Sequence, residues 1–434
     1  MTIAEQAASA TRTVSGRRLA MLVRDRCKDA QQAHDVEVVG HVLPFKVSAH
    51  VIDTLIDWEN VPDDPLYRLV FPHRDMLDPR DFRAVERALG DPAALRDTVA
   101  AVRRRLNPHP GEQLTRNIPV SGVQHKYAQT ALVFPRHGQT CHAYCAYCFR
   151  WAQFVGRPEL RIADDDPRKV IAYLRDHPEI SDVLFTGGDP LVMRTELLEP
   201  YVDAVLSPGL EHITTIRIGT KALSFHPARL VTGPDASSLL RLLERVVRAG
   251  RHLAVMVHVS HPRELEPDLT RLAVAALHGV GAQLRSQAPV VRHVNDDPAV
   301  WADAWRAQLL LGIHPYYLFV ERDTGARRYF GLPLQRAYEI HRDAVRRMSG
   351  LGRTARGPVM STTEGKVTVD GVTELPGGRA FALRFLQARI PDLVGRPFHA
   401  RWDPAAQWWS ELVPFGGPDR LFFPQSAAVQ GRPC

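Results

Sequence analysis

Three of the chain's five cysteines fall within the run Cys141-His142-Ala143-Tyr144-Cys145-Ala146-Tyr147-Cys148, and Phe149 and Arg150 follow directly. Thiols this close, in a chain that opens without an apolar signal stretch, point to metal or cofactor ligation rather than to a disulfide framework. Soft thiolates at short spacing suit an iron–sulfur cluster or zinc. A structural zinc site needs a fourth ligand and usually two paired knuckles. A [4Fe–4S] cluster held by only three cysteines instead keeps one iron open to a small molecule. His142 sits beside Cys141, so its ring does not turn easily to the same metal.

A chain of 434 residues has room for one large domain with extensions or for two domains. Its 45% hydrophobic and 24% charged residues place it among soluble globular proteins. Met1 to Thr13 has no apolar core of signal-peptide length and no run approaches a membrane span, so cytoplasm is the expected location. The balance of 55 basic against 48 acidic residues, +7, is spread along the chain. Its densest groups, Arg103-Arg104-Arg105 and Arg346-Arg347, lie in helical patterns and read as solvated faces. Without an aromatic-interleaved basic stretch, nucleic acid is not the expected partner.

Residues 1 to about 35 lack a sustained apolar period and are expected to form a loose leader or fraying helix. Helical spacing runs from Asp81 to Leu106, interrupted near Gly90-Asp91-Pro92, and the breakers Asn107-Pro108-His109-Pro110-Gly111 follow. Short β-prone runs then recur at Thr130–Phe134, Asp182–Phe185, Thr214–Ile218, Leu253–Val259, Gln283–Val291 and Tyr316–Val320. Helical segments alternate with them at Arg168–Asp176, Glu196–Leu206, Ser237–Ala249, Leu269–His278 and Val300–Leu311. Such alternation predicts an α/β fold, a parallel sheet or partial barrel with helices outside. Catalytic groups of such folds gather beyond the carboxyl ends of the strands, and the cysteine run follows the first of them on a loop. One more helix is expected over Leu334–Met348. The tail offers a hairpin-like Lys366-Val367-Thr368-Val369-Asp370-Gly371 and the aromatic residues Trp402, Trp408, Trp409 and Phe415, read as buried packing or a subunit contact. The expected division is 1–115, a helical N-terminal extension; 116–332, the core barrel; and 333–434, a smaller C-terminal segment.

Cys-x3-Cys-x2-Cys with Tyr147 before the last cysteine resembles the radical S-adenosylmethionine (SAM) signature. That resemblance implies a partial (β/α)6 barrel, a [4Fe–4S] cluster on Cys141, Cys145 and Cys148, and SAM chelating the open iron. Gly187-Gly188-Asp189, at a strand end, resembles the element that meets the SAM amino group. The likeness narrows through Gly122-Val123-Gln124-His125-Lys126-Tyr127, Ile216-Arg217-Ile218-Gly219-Thr220, His258-Val259-Ser260-His261-Pro262, Arg292-His293-Val294-Asn295-Asp296 and Pro315-Tyr316-Tyr317. Together with Asp64-Pro65, Arg68 and Pro72, these stand in the order found in the lysine 2,3-aminomutase family, from about residue 60 to about residue 370.

Members of that family use SAM, the cluster and pyridoxal 5′-phosphate (PLP) to move an α-amino group to the β-carbon. The resemblance implies Lys366 as the PLP lysine, Lys126 at the PLP phosphate, Arg150 on the substrate carboxylate and Asp296 on the distal ammonium of lysine. It further implies an amino-acid substrate, an electron donor such as flavodoxin or ferredoxin, and a homo-oligomer. Three departures stand out: only Gly365 remains of a glycine-rich run before the lysine, Val359 replaces a second aspartate, and the C-terminal cysteine group of relatives is reduced to Cys434. They leave open which amino acid is taken, lysine or a related one. The alternative reading is a PLP-independent radical SAM enzyme of the same descent acting on another small molecule.

Overall fold

The computed structural model describes residues 12–27, 29–110, 118–155 and 161–417. Two short strands, β1 (Thr13–Ser15) and β2 (Lys46–Ser48), pair with each other in the N-terminal part. All others join one sheet: β3 (Val123–Tyr127), β4 (Thr130–Val133), β5 (Asp182–Phe185), β6 (Thr215–Thr220), β7 (His252–His258), β8 (Gln283–Val290), β9 (Ile313–Val320), β10 (Arg356–Ser361), β11 (Gly365–Leu375), β12 (Gly378–Ala388) and β13 (Pro397–Arg401). They lie side by side in chain order. From β4 to β10 each neighbour is parallel, whereas β3 and β11–β13 run antiparallel to theirs.

Helices Pro167–Asp176, Thr195–Val205, Ala236–Arg248, Asp268–Gly279, Pro298–Leu310 and Leu334–Arg346 return the chain after β4, β5, β6, β7, β8 and β9. Six strand–helix units in succession are the partial barrel expected from the alternation. The sheet does not close, because β3 and β13 remain its ends. It curls nonetheless: the Lys366 Nζ on β11 stands 5.7 Å from the Tyr127 ring centroid on β3.

Local sequence explains many of the helix starts. Asp64-Pro65, Asp78-Pro79, Asp91-Pro92, Asp166-Pro167 and Asp297-Pro298 each place a carboxylate at the N-cap, accepting hydrogen bonds from first-turn amides. The proline at the first helical position lacks an N–H that would have no partner there. Helix Ala236–Arg248 shows how burial follows: Leu239, Leu242, Leu243 and Val246 are buried and Arg241, Arg245 and Arg248 exposed, the three-and-four spacing of one apolar stripe. Truncating one such leucine to alanine costs roughly 2–5 kcal/mol.

The N-terminal part differs from its expectation. Arg17–Cys27 and Ala30–Val42 are helices, and Leu19, Val23, Ala33, Val36 and Val39 are buried in one core with Tyr67, Phe71, Tyr147, Trp151, Tyr329 and Phe330. Tertiary packing onto the cysteine loop orders a stretch whose own periodicity is weak. Residues 1–11 lie outside the described residues.

The tail also differs in one detail. Gly371 is not a turn but sits inside β11, at a register shift that opens between Val369 and Gly371 opposite β12. Trp408 is buried, and Trp409 packs edge-on to Phe385 and Phe398 within the C-terminal core. Cys434 lies outside the described residues, among which no helix is long and apolar enough to cross a membrane.

Candidate active site

The loop after β4 carries the cysteines and is held from two sides. Tyr144 N–H donates to the Lys46 carbonyl and Ala146 N–H to the Leu69 carbonyl, both at 2.8 Å, so the N-terminal part grips the loop from outside the barrel. From inside, the Tyr147 hydroxyl lies 2.7 Å from His258 Nε2 and 2.8 Å from Ser260 Oγ at the end of β7.

Cys141, Cys145 and Cys148 are all free thiols lining one cavity of about 340 Å³. Burial pushes all three thiols up, Cys145 to about 12, with neighbouring anionic groups adding to the rise for Cys141 and Cys145. A bound cation reverses that order and holds thiolates outright. His142 does not face the cavity; its ring stacks on His226 with centroids 4.3 Å apart. The cysteine loop therefore offers the cavity three thiols, a set that fits a cluster with one open iron.

Gly187 and Gly188 follow β5 and also line the cavity. A β-carbon on Gly188 would fall 2.6 Å from the Thr140 nitrogen and closer still to its carbonyl, while one on Gly187 would strike the Gln139 side chain. Gly188 is thus required by the backbone immediately before Cys141, whereas Gly187 is crowded by the Gln139 side chain. Asp189 Oδ1 accepts from Leu191 N–H (2.9 Å) and Thr220 Oγ1 (2.8 Å), and Oδ2 accepts from Lys221 N–H (2.8 Å). Expected as an acceptor for a ligand amine, this carboxylate lines the cavity and also ties the β5 loop to the end of β6. Burial raises its pKa and these bonds oppose the rise.

On the other side of the cavity the charges are mainly positive. Arg150 lies under the rings of Phe134 and Phe149, with Cζ at 4.7 and 5.2 Å from their centroids, and among the described residues no carboxylate pairs with it. Desolvation pulls its pKa down to about 10. Lys126, on β3, is driven well below the ordinary lysine range by burial and then by Arg322, Arg389, Lys366 and Arg150. Lys366, near the start of β11, donates to Gln387 Oε1 at 2.8 Å, and Nζ stands 4.6 Å from the Tyr317 ring centroid. Burial, with the cations Arg217 and Arg356 adding to it, lowers its amine to about 7. The Tyr127 hydroxyl beside it is buried without a hydrogen-bond partner. A reactive amine, a cluster of cations and an unsatisfied hydroxyl form a donor set that fits an aldehyde carrying a phosphate.

Asp296 is not part of this assembly. It lies in the loop after β8, away from the cavity lining, and its carbonyl accepts from Arg336 Nη2 at 3.0 Å. Val359 is fully buried in β10 and does not line the cavity either. Glu321, directly after β9, does line it beside Asp189, and among the described residues its two carboxylate oxygens are both buried without hydrogen-bond partners. Burial raises its pKa well above the usual range despite Arg327 and Arg292. Sequence reasoning passed over Glu321 and the neighbouring Arg322, whose guanidinium stacks near Phe149 and Trp408. The available signal was position, since both directly follow the sixth parallel strand.

No family model matches the chain. A protein of Aquifex aeolicus (strain VF5) described as "Putative L-lysine 2,3-aminomutase" is 28% identical over 384 residues, 88% of this chain and 91% of the relative. The L-lysine 2,3-aminomutase of Escherichia coli (strain K12) is 28% identical over 53% of this chain and 63% of its own length. For the L-lysine 2,3-aminomutase of Clostridium subterminale the match is 28% over 51% and 50%. Among solved structures, Streptococcus suis SuiB covers 64% of this chain and 59% of its own at TM-score 0.37 and 13% identity.

A partial barrel whose first strand leads into three cavity-facing thiols is that of a radical SAM enzyme. Over most of its length the chain is similar to a protein described as a putative L-lysine 2,3-aminomutase, and over about half of it to L-lysine 2,3-aminomutases. The radical SAM class implies a [4Fe–4S] cluster and SAM.

Proposed function

We propose that this enzyme is a PLP-dependent 2,3-aminomutase that moves the α-amino group of an amino acid, lysine or a related one, to the β-carbon. One observation carries the proposal: Lys366, from a strand near the end of the chain, opens into the same cavity as the three thiols, with its amine near neutrality. An uncharged amine is what condensation with a carbonyl needs, and an ordinary surface lysine supplies little of it at pH 7.

The roles of the side chains follow from their chemistry. The thiols would hold the cluster, which with SAM supplies the radical that opens the reaction. Lys366 would hold PLP, with Lys126 at its phosphate; PLP supplies an electron sink for the migrating nitrogen. Arg150 presents a planar fork of donors to the substrate carboxylate. Glu321, rather than Asp296, is the acid offered to a cationic group of the substrate. Burial favours its protonated form, and an ammonium beside it favours the carboxylate. Leu132, Phe134, Leu184, Met256 and Phe319 line the rest of the cavity and exclude water that would quench a radical. A one-electron donor such as flavodoxin or ferredoxin and assembly into a homo-oligomer belong to the same proposal.

Anaerobic protein with reconstituted cluster, SAM, PLP and dithionite, incubated with a panel of amino acids, is expected to yield a β-amino acid detectable by mass spectrometry. The product should disappear with Lys366→Ala. Product formation that is indifferent to PLP and to Lys366 would defeat the proposal.

A further inference from the structure

We propose that Gln387 is the positioning residue for Lys366, holding its amine by one N–H so that the nitrogen lone pair is presented to the cavity. The inference rests on the reading of Lys366 as the lysine that takes a carbonyl ligand. Three features of the β11–β12 pair support it.

First, Lys366 and Gln387 are directly opposed across the two strands, so both side chains stand on one face of the sheet, and both line the cavity. The register then slips, Val367 pairing with Phe385, which leaves Leu386 as an extra residue on β12. A bulge beside a functional side chain re-aims it. Second, Gly365 lets β12 approach closely: a β-carbon there would fall 2.9 Å from the Ala388 Cα and nearer still to the Gln387 carbonyl. Gly365 N–H and the Thr362 side chain close the turn that delivers Lys366, through a bond of 3.2 Å. The backbone of Gln387 is therefore fixed against the lysine it serves.

Third, the partner is a neutral amide. Its oxygen accepts one lysine N–H at 2.8 Å and brings no negative charge. A carboxylate in the same place would favour the ammonium, whereas the amide orients the amine and leaves burial and the nearby cations to keep it unprotonated. In the condensation itself the amine nitrogen bonds the carbonyl carbon and the carbonyl oxygen leaves as water. The amine protons supply the water's hydrogens, and no oxidant or reductant takes part.

The test uses the full chain, anaerobic and cluster-reconstituted but free of PLP, and two readouts. Competitive labelling with trace acetic anhydride across a pH series reports the titration of Lys366 without PLP, and borohydride trapping of added PLP followed by peptide mass spectrometry reports attachment. Gln387→Glu is expected to raise the labelling midpoint by about one pH unit or more, and to slow PLP trapping at pH 7 about fivefold, because a midpoint moved from about 7 to about 8 cuts the neutral fraction from about a half to about a tenth. Gln387→Leu should leave the midpoint low but slow trapping severalfold at every pH, because the amine loses its anchor. Wild-type midpoint and rate in both folded variants would overturn the positioning role. A midpoint that moves in Gln387→Glu while wild-type Lys366 never traps PLP would uphold the positioning of the amine and overturn the PLP reading alone.

Discussion

Gly188→Ala tests whether the glycine pair exists to seat the cysteine loop. The added β-carbon would lie 2.6 Å from the Thr140 nitrogen, where an ordinary contact begins at 3.4 Å, so the two segments must separate by at least about 0.8 Å. Every atom it meets belongs to backbone, and no rotamer change relieves the overlap. Thr140 directly precedes Cys141, and the Asp189 N–H donates to its carbonyl at 2.7 Å, so the displacement passes to the first thiol. Overpacking of this kind costs about 1–3 kcal/mol, and a site without side-chain slack belongs at the upper end. The assay is iron and sulfide per chain after anaerobic reconstitution, read beside the apparent Tm. Gly90→Ala is the control, since nothing lies within 4 Å of its β-carbon. We expect Gly188→Ala to lose most of its iron and a few degrees of Tm, and Gly90→Ala to change neither appreciably. Full iron loading and an unchanged Tm in Gly188→Ala would refute the reasoning.

Four further outcomes follow from charged groups in and near the cavity. Lys366→Met removes a buried amine that titrates near 7 in the folded chain and in the ordinary lysine range when unfolded. The unfolded state then binds more protons between those limits, so native stability rises with pH across the window. The variant's gain in Tm should be largest near pH 7 and shrink toward pH 10. Arg150→Lys should raise KM for the amino acid about tenfold or more with a smaller change in kcat, because a hydrogen bond to a charged group contributes roughly 1.5–3 kcal/mol; an unchanged KM would remove Arg150 from the carboxylate. Glu321→Leu should raise the apparent Tm, by removing an unpartnered buried acid, while weakening binding of substrates with a second amine. Asp296→Ala should leave that binding within about twofold, and a reversal of the two would restore Asp296 to the site.

Much of the barrel was legible because its strands and helices carry opposite periods. Asp182–Phe185 is the same strand in sequence and structure, and Gln283–Val290 ends one residue short of its expected limit. What escaped depends on tertiary packing. Leu19 and Val23 sit among arginines in a helix that looks solvated, and only contact with the cysteine loop's core buries them. Asp296 and Glu321 both stand just beyond barrel strands, and the chain alone does not tell which of two loops turns inward. Asp189 was readable as an acid in the right place but not as one already engaged by Thr220 and Lys221. For Lys366 the sequence showed a lysine after a glycine, while its partner Gln387 waited on a strand pairing that no local pattern encodes.

The meeting of Lys366 with Tyr127 joins positions roughly 240 residues apart. A ribosome delivers the thiols long before it delivers the strands that wall the cavity on that side. During synthesis the loop and its neighbouring strands are accordingly made while the chamber still lacks a flank.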